Sequence, residues 1–250
     1  MRVFNNNNAK RIDILDERFY QSKKEKDIYY PSVTTILEVY PKGFGFSEWQ
    51  KSVGFNADEI MRKAGQQGTN VHNMIDEYLA GKTINWIDGK YTLLEWQMFC
   101  KFIEFMEQTT PEILTTEMTL VSDLLRYGGT VDCICKINGE VWLIDWKTST
   151  YVHKSHELQL SAYATMWNEL NPEYKIQRTG ILHLQAATRG SDKAGKKIQG
   201  AGWQLVEFGR TYQDSFKVFQ HTQAIWEEEN PTYKPKNLCY PMEFCLKPCK

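Results

Sequence analysis

Three charged residues in the stretch RYGGTVDCICKINGEVWLIDWKTST (126–150) could do chemistry together: Asp132, Asp145 and Lys147. Asn138-Gly139 lies between two apolar-rich runs. That dipeptide suits a type I′ hairpin turn, which needs φ > 0 at both central positions. With those residues as the turn, Ile137 pairs with Glu140, and counting away from the turn sets Asp132 directly opposite Asp145. Side chains alternate along a strand, so Lys147 shares a face with Asp145. Directly opposed Cβ atoms lie ~5 Å apart, and like charges so placed destabilise a sheet. A divalent cation between the carboxylates reverses the sign. Oxygen-only ligands suit a hard ion such as Mg²⁺ or Mn²⁺. The plainer alternative is an Asp145–Lys147 ion pair at a strand end, with Asp132 exposed.

The elements that must position these groups begin with the hairpin's other face, which reads Val131, Cys133, Cys135, Ile137 and Trp142, Ile144, Trp146. It is apolar, so the hairpin should sit inside a sheet and pack on a core. Gly128-Gly129 fits a bulge, or a place where another backbone comes close. Upstream, RIDILDERFYQ alternates and IYY follows the charged turn SKKEKD, which suggests a hairpin over 10–31. Ser32 or Thr34 could cap a short helix stopped by Pro41 and Gly43. Residues 46–53, 56–80 and 92–108 read as helices, the last with a broad apolar stripe. A strand is expected over 112–121, a helix over 155–170, strands over 176–187 and 202–208, and a final helix over 210–229. The order predicts an α/β fold with a central mixed β-sheet flanked by helices and a helical N-terminal portion. We expect one domain over 1–250: an N-terminal hairpin (1–31), a helical portion (32–110), the sheet and its helices (111–230) and a Cys- and Pro-rich tail (231–250).

Two helices carry further candidates. In GTNVHNMIDEYL, His72 and Asp76 are four residues apart and share a face. They are either surface residues or, with a neutral imidazole, members of a metal site. Gly65 and Gly68 upstream weaken the helix by about 1 kcal/mol each, which close approach of another backbone or a substrate could explain. In HELQLSAYATMW, Gln159 and Tyr163 have the same spacing. They are either the rim of the core or groups that hydrogen-bond a phosphate and stack on a base.

The formal net charge is −1, so nucleic-acid binding must come from local patches. No run of about eighteen apolar residues exists, and the N-terminus lacks the apolar stretch of a secretory signal. Six cysteines in 250 residues do not make a disulfide framework, and we expect a reducing cytoplasm.

The motifs G-T-x-x-H-x-x-x-[D/E], an acidic strand, G-x-x-D, D-x-K-T and Q-L-x-x-Y occur here in that order. Before them, residues 32–37 match S-V-T-x-I-L, with Trp49 following. The set, spanning roughly 30–165, resembles the RecB-type branch of the PD-(D/E)XK nuclease superfamily, including its single-domain phage and mitochondrial exonucleases. Each piece alone is common, and the order carries the signal. Val131 stands where the superfamily name has proline, and Asp76 fills a slot often held by Glu.

The resemblance implies a restriction-endonuclease-like core. Asp132, Asp145 and the main-chain carbonyl of Trp146 would hold Mg²⁺ or Mn²⁺, with His72 as a further ligand. Lys147 would orient and help deprotonate the attacking water, while Gln159 and Tyr163 organise the site. Glu117 matches the family's acidic strand position, or is an exposed strand residue; Asp76 would be accessory.

Arg189, Lys193, Lys196 and Lys197 lie in a glycine-rich loop that either contacts DNA phosphates or is merely solvated. Lys42, Lys51, Arg62 and Lys63 form a second basic scatter. Some relatives carry an iron–sulfur cluster. Cys239, Cys245 and Cys249 lack its spacing, with no cysteine before His72, and we expect none. The expected activity is a metal-dependent deoxyribonuclease, an exonuclease on single-stranded or duplex ends in recombination, repair or replication, with a protein of those processes as partner. The alternatives are a structure-specific or nicking endonuclease, and a non-catalytic nucleic-acid-binding module.

Overall fold

The computed structural model describes residues 4, 9–14, 17–86, 89–184, 190–191, 197–198 and 202–235. Arg189, Lys193, Lys196, the side chain of Lys197, and Cys239, Cys245 and Cys249 lie outside the described residues.

Strands β1 (Lys10–Ile14), β2 (Glu17–Gln21) and β3 (Tyr29–Pro31) form a small antiparallel sheet. The alternating run expected as one strand is therefore itself a hairpin, because Ile14 pairs with Glu17. Ser32 then caps the short helix α1 (Val33–Ile36) by accepting from the Thr35 N–H. Helices α2 (Phe44–Val53), α3 (Ala57–Leu79) and α4 (Leu93–Thr109) follow. A capping box between Thr92 and Glu95 starts α4.

The central sheet holds β4 (Glu112–Ser122), β5 (Tyr127–Ile137), β6 (Glu140–Lys147), β7 (Arg178–Leu184) and β10 (Trp203–Val206), in the order β10-β7-β6-β5-β4. It is mixed, since β6 and β7 run parallel and the other pairs are antiparallel. Helix α5 (Lys154–Leu170) makes the crossover between β6 and β7. The two-residue strands β8 (Gly190–Ser191) and β9 (Lys197–Ile198) pair apart from it, and α6 (Tyr212–Glu229) ends the described helices.

Each face of the sheet has its own core. Cys133, Cys135, Ile137, Trp142, Ile144 and Trp146 pack against α3 and α4 through Val71, Ile75, Phe99 and Phe102. Ile134, Val141, Leu143 and Ile181 pack against α5 and α6 through Leu160, Ala164, Trp167 and Phe219. Val131 belongs to this second core, which corrects its expected place beside Cys133. The irregularity coincides with one on the neighbouring strand. The β4–β5 register puts Glu117 opposite Asp132, between Thr116↔Cys133 and Met118↔Val131. Glu117 has φ 47°, in the left-handed region that side-chain-bearing residues rarely adopt, and strict alternation fails there. No described helix is long and apolar enough to cross a membrane.

Candidate active site

The β5–β6 hairpin has the expected register. Asn138 and Gly139 have φ values of 51° and 85°, as a type I′ turn requires, and the pairs run from Ile137↔Glu140 to Cys133↔Ile144. The ladder stops there. Instead of facing Asp145 in a further backbone pair, Asp132 accepts the Trp146 N–H through Oδ2 at 2.9 Å. The strands thus separate where the two aspartates lie. Beyond that point, Gly128 bridges to Ser32.

The two glycines here let aromatic rings lie on the backbone. A Cβ on Gly128 would sit 2.3 Å from Tyr20 Cγ, and one on Gly129 2.3 Å from Tyr163 Cε1. Tyr163 reaches Gly129 from α5, buried, with its hydroxyl pKa pushed well up by that burial. A close approach is present at Gly128-Gly129, but two tyrosine side chains make it, not the backbone expected there. Gly68 is explained similarly: a Cβ there would come within 3.1 Å of Thr148 Oγ1. Among the described residues nothing lies within 4 Å of a Cβ at Gly65.

On the α5 side, Asp145 is 2% exposed. Its Oδ1 accepts from Gln159 Nε2 at 2.9 Å, and its Oδ2 meets Lys147 Nζ at 2.6 Å, an ion-pair contact outside hydrogen-bond geometry. Burial raises the Asp145 pKa, Lys147 opposes the rise, and Asp132 adds to it. Burial also works against the Lys147 ammonium, but Asp145 and Asp132 outweigh it and hold its pKa above the ordinary value. Lys147 therefore stays charged.

On the α3 side, His72 Nε2 is 3.1 Å from the Trp146 carbonyl oxygen, and Nδ1 is 3.8 Å from Asp132 Oδ2. A carbonyl only accepts, so a hydrogen bond here needs a proton on Nε2, whereas holding a cation through this nitrogen needs its lone pair free and the proton on Nδ1. Ligand atoms of His72, Glu117 and Asp132 lie within 4.8 Å of one another. Burial, then the like charges of Asp132 and Asp76, push the Glu117 carboxyl up to about 8, with Arg11 pulling the other way. Glu117 nonetheless keeps an exposed outer edge. Asp76, one turn beyond His72, is half-buried; burial raises its pKa, and its Oδ1 has no hydrogen-bond partner.

This set fits a hard divalent cation. Two carboxylates and an imidazole converge, the nearby Asp76 Oδ1 and Asp145 Oδ2 have no hydrogen-bond partner among the described residues, and repulsion falls on the groups a cation would draw together. Adjacent ligand atoms of an octahedral Mg²⁺ lie about 3 Å apart. The separation of His72 Nε2 from the Trp146 oxygen has that value.

Two histidines beside Lys147 were not among the residues the sequence pointed to. His183 pairs with Lys147 across the parallel β6–β7 ladder, and its Nε2 is 2.6 Å from the Ser149 carbonyl, tying down the segment after β6. Burial and Lys147 push the His156 pKa down to about 4, so it is neutral. His156 stands three residues before Gln159 on α5, a readable helical spacing; His183 needs a parallel register that spacing cannot give.

A mixed five-stranded sheet between helices, with Asp-x-Lys on one central strand and an acidic group on each of the next two strands to one side, defines a nuclease-type α/β core. The family description "PD-(D/E)XK nuclease superfamily" matches residues 48–245, well over half the chain, and the chain belongs to that superfamily. No individual curated protein matches the sequence.

Proposed function

We propose that the protein is a Mg²⁺- or Mn²⁺-dependent deoxyribonuclease that degrades DNA from single-stranded or duplex ends. The observation that carries the reading is the convergence of His72, Glu117 and Asp132 where β5 and β6 separate, beside the Asp145–Lys147 pair. A cation bound there polarises a phosphate oxygen and lowers the pKa of a water. His72, Asp132, Asp145 and the Trp146 carbonyl would hold it, with Glu117 and Asp76 as accessory carboxylates. Lys147 is held in its charged form, so it stabilises charge developing on the phosphate oxygens and orients the water. That favours an electrostatic role over direct proton abstraction by this lysine. Gln159 orients Asp145, and Tyr163 packs Gly129 so that β5 keeps Asp132 in place.

Action on ends is supported by the ordered motifs over roughly 30–165, which resemble the RecB-type branch and its single-domain exonucleases. The test offers linear and covalently closed circular DNA with Mg²⁺ and with EDTA. We expect loss of the linear substrate with Mg²⁺, no loss with EDTA, and an intact circle. Cutting of the circle would replace the exonuclease reading by a nicking or structure-specific endonuclease. Cleavage by Asp145→Ala at the parental rate would remove the metal site.

A further inference from the structure

Helix α2 has ten residues and none is buried, although it carries Phe44, Phe46, Trp49 and Val53. A short helix with that composition has no packing reason to hold its aromatics at the surface. The Phe46 and Trp49 rings lie 5.6 Å apart between centroids, tilted by 36°, and Lys42 Nζ lies 5.0 Å above the Phe46 ring. Two clefts meet at this spot, of about 430 and 620 Å³, sharing Lys42, Phe46 and His153 as walls. Lys154 lines the first; Trp49, Met61 and Tyr151 line the second. Among the described residues no carboxylate lines either cleft. The floor of the second is the segment 149–153, which begins two residues beyond Lys147 and is tied down by His183. One wall of the groove is therefore the segment that directly follows β6 and its Lys147 in the chain.

We infer that this groove takes the bases of an unpaired DNA strand, stacked on Phe46, Trp49 and Tyr151, with its phosphates on Lys42 and Lys154. Lined by aromatic faces and lysines, with no acidic wall among the described residues, the groove suits a chain of π-faces joined by anions. A duplex hides its base faces, and an apolar peptide has no use for the lysines. The inference rests on the nuclease reading and names the strand form that its site receives.

The experiment measures binding without turnover, with Ca²⁺ in place of Mg²⁺, by anisotropy of labelled oligothymidylate and of a labelled blunt duplex. In the double variant Phe46→Ala/Trp49→Ala, oligothymidylate affinity should fall about tenfold or more while duplex affinity changes much less. Since α2 buries nothing, the truncations leave no cavity in the core, and Trp49→Phe should retain most of the affinity. Lys42→Ala should weaken both probes alike and flatten the salt dependence. Unchanged oligothymidylate affinity in the double variant, or equal losses for both probes, would overturn the groove. A protein that binds oligothymidylate through these rings yet cuts no DNA with Mg²⁺ supports the groove and overturns the nuclease assignment alone.

Discussion

The two sides of the candidate active site solve the same electrostatic problem differently. On the α5 side, Asp145 is buried and its charge is answered within the protein, by Lys147 at 2.6 Å and Gln159 at 2.9 Å. On the α3 side, Asp132, Glu117 and Asp76 crowd together, answered among the described residues by His72, by Arg11 and, for Asp132, by Lys147 and the Trp146 N–H, and the Glu117 pKa is still pushed up to about 8. The first side is a finished structural unit that also faces the site. The second costs stability until something positive arrives. The backbone shows the same contrast: α5 packs with ordinary geometry, whereas Glu117 holds a left-handed φ, a conformation costing about 1–3 kcal/mol that persists at sites where function uses it.

The sharpest way to break that contrast is to delete one aspartate from each side. Both Asp145→Ala and Asp132→Ala should lower Mg²⁺-dependent cleavage by about 10³-fold or more, since both remove ligands of the expected cation. Their stabilities should diverge. Asp145→Ala leaves the mostly buried Lys147 ammonium unpaired, and its exposed fifth puts the loss toward the low end of the range for broken buried pairs, about 3 kcal/mol. Asp132→Ala loses the Trp146 N–H contact but relieves repulsion, so its urea midpoint in EDTA should stay near the parent's. Equal destabilisation by the two would erase the distinction. Next in size, Lys147→Ala should lower kcat by about 10²–10³-fold with metal affinity kept or increased, as read by titration calorimetry. Lost metal binding instead would make Lys147 a member of the cation site's scaffold.

Gly129→Ala probes what holds the α5 side in place. A Cβ 2.3 Å from a buried tyrosine ring forces the ring or the strand to move, at a cost of about 1–3 kcal/mol in urea unfolding. Activity should drop with it, because Tyr163 and the Asp132 strand move together. A variant with altered stability and parental kcat would detach Tyr163 from positioning Asp132.

Much of the α5 side is legible in the sequence. The Asn-Gly turn fixes the register by local chemistry, so Asp145 and Lys147 share a face whatever the rest of the chain does. Gln159 and Tyr163 follow from helical spacing. The α3 side is less so. Local rules put Asp132 directly opposite Asp145, but they do not tell where a ladder stops, and here the strands diverge a residue sooner. Glu117 is left-handed and Val131 lies in the other core, and no turn dipeptide announces either. The pairing of β4 with β5, which sets Glu117 beside Asp132, has a longer connection and a register shift between Ile113 and Thr115. The first hairpin looks like a longer strand because RIDILDERFYQ alternates straight through its own turn.

Glu117 gives the smallest and most discriminating test. Its ordinary pKa is 4.5, and in the folded protein burial, Asp132 and Asp76 raise it to about 8. A raised carboxyl binds its proton more tightly when folded, so the unfolded chain ionises first. Stability then falls as pH rises from about 4.5 to about 8 and stays level above, the reverse of an ion-paired carboxylate. Glu117→Gln cannot ionise. In EDTA, its Tm should lie close to the parent's near pH 4.5 and rise progressively above it as the pH approaches 8. Added Mg²⁺ should close or invert that gap, because the parent's carboxylate gains a partner that the amide replaces poorly. Parent and variant should also differ in proton release on metal binding at about pH 7, seen as a buffer-dependent calorimetric enthalpy. A Tm difference independent of pH and metal would mean that Glu117 stands outside the charge cluster, and the α3 side would then be no more strained than the α5 side.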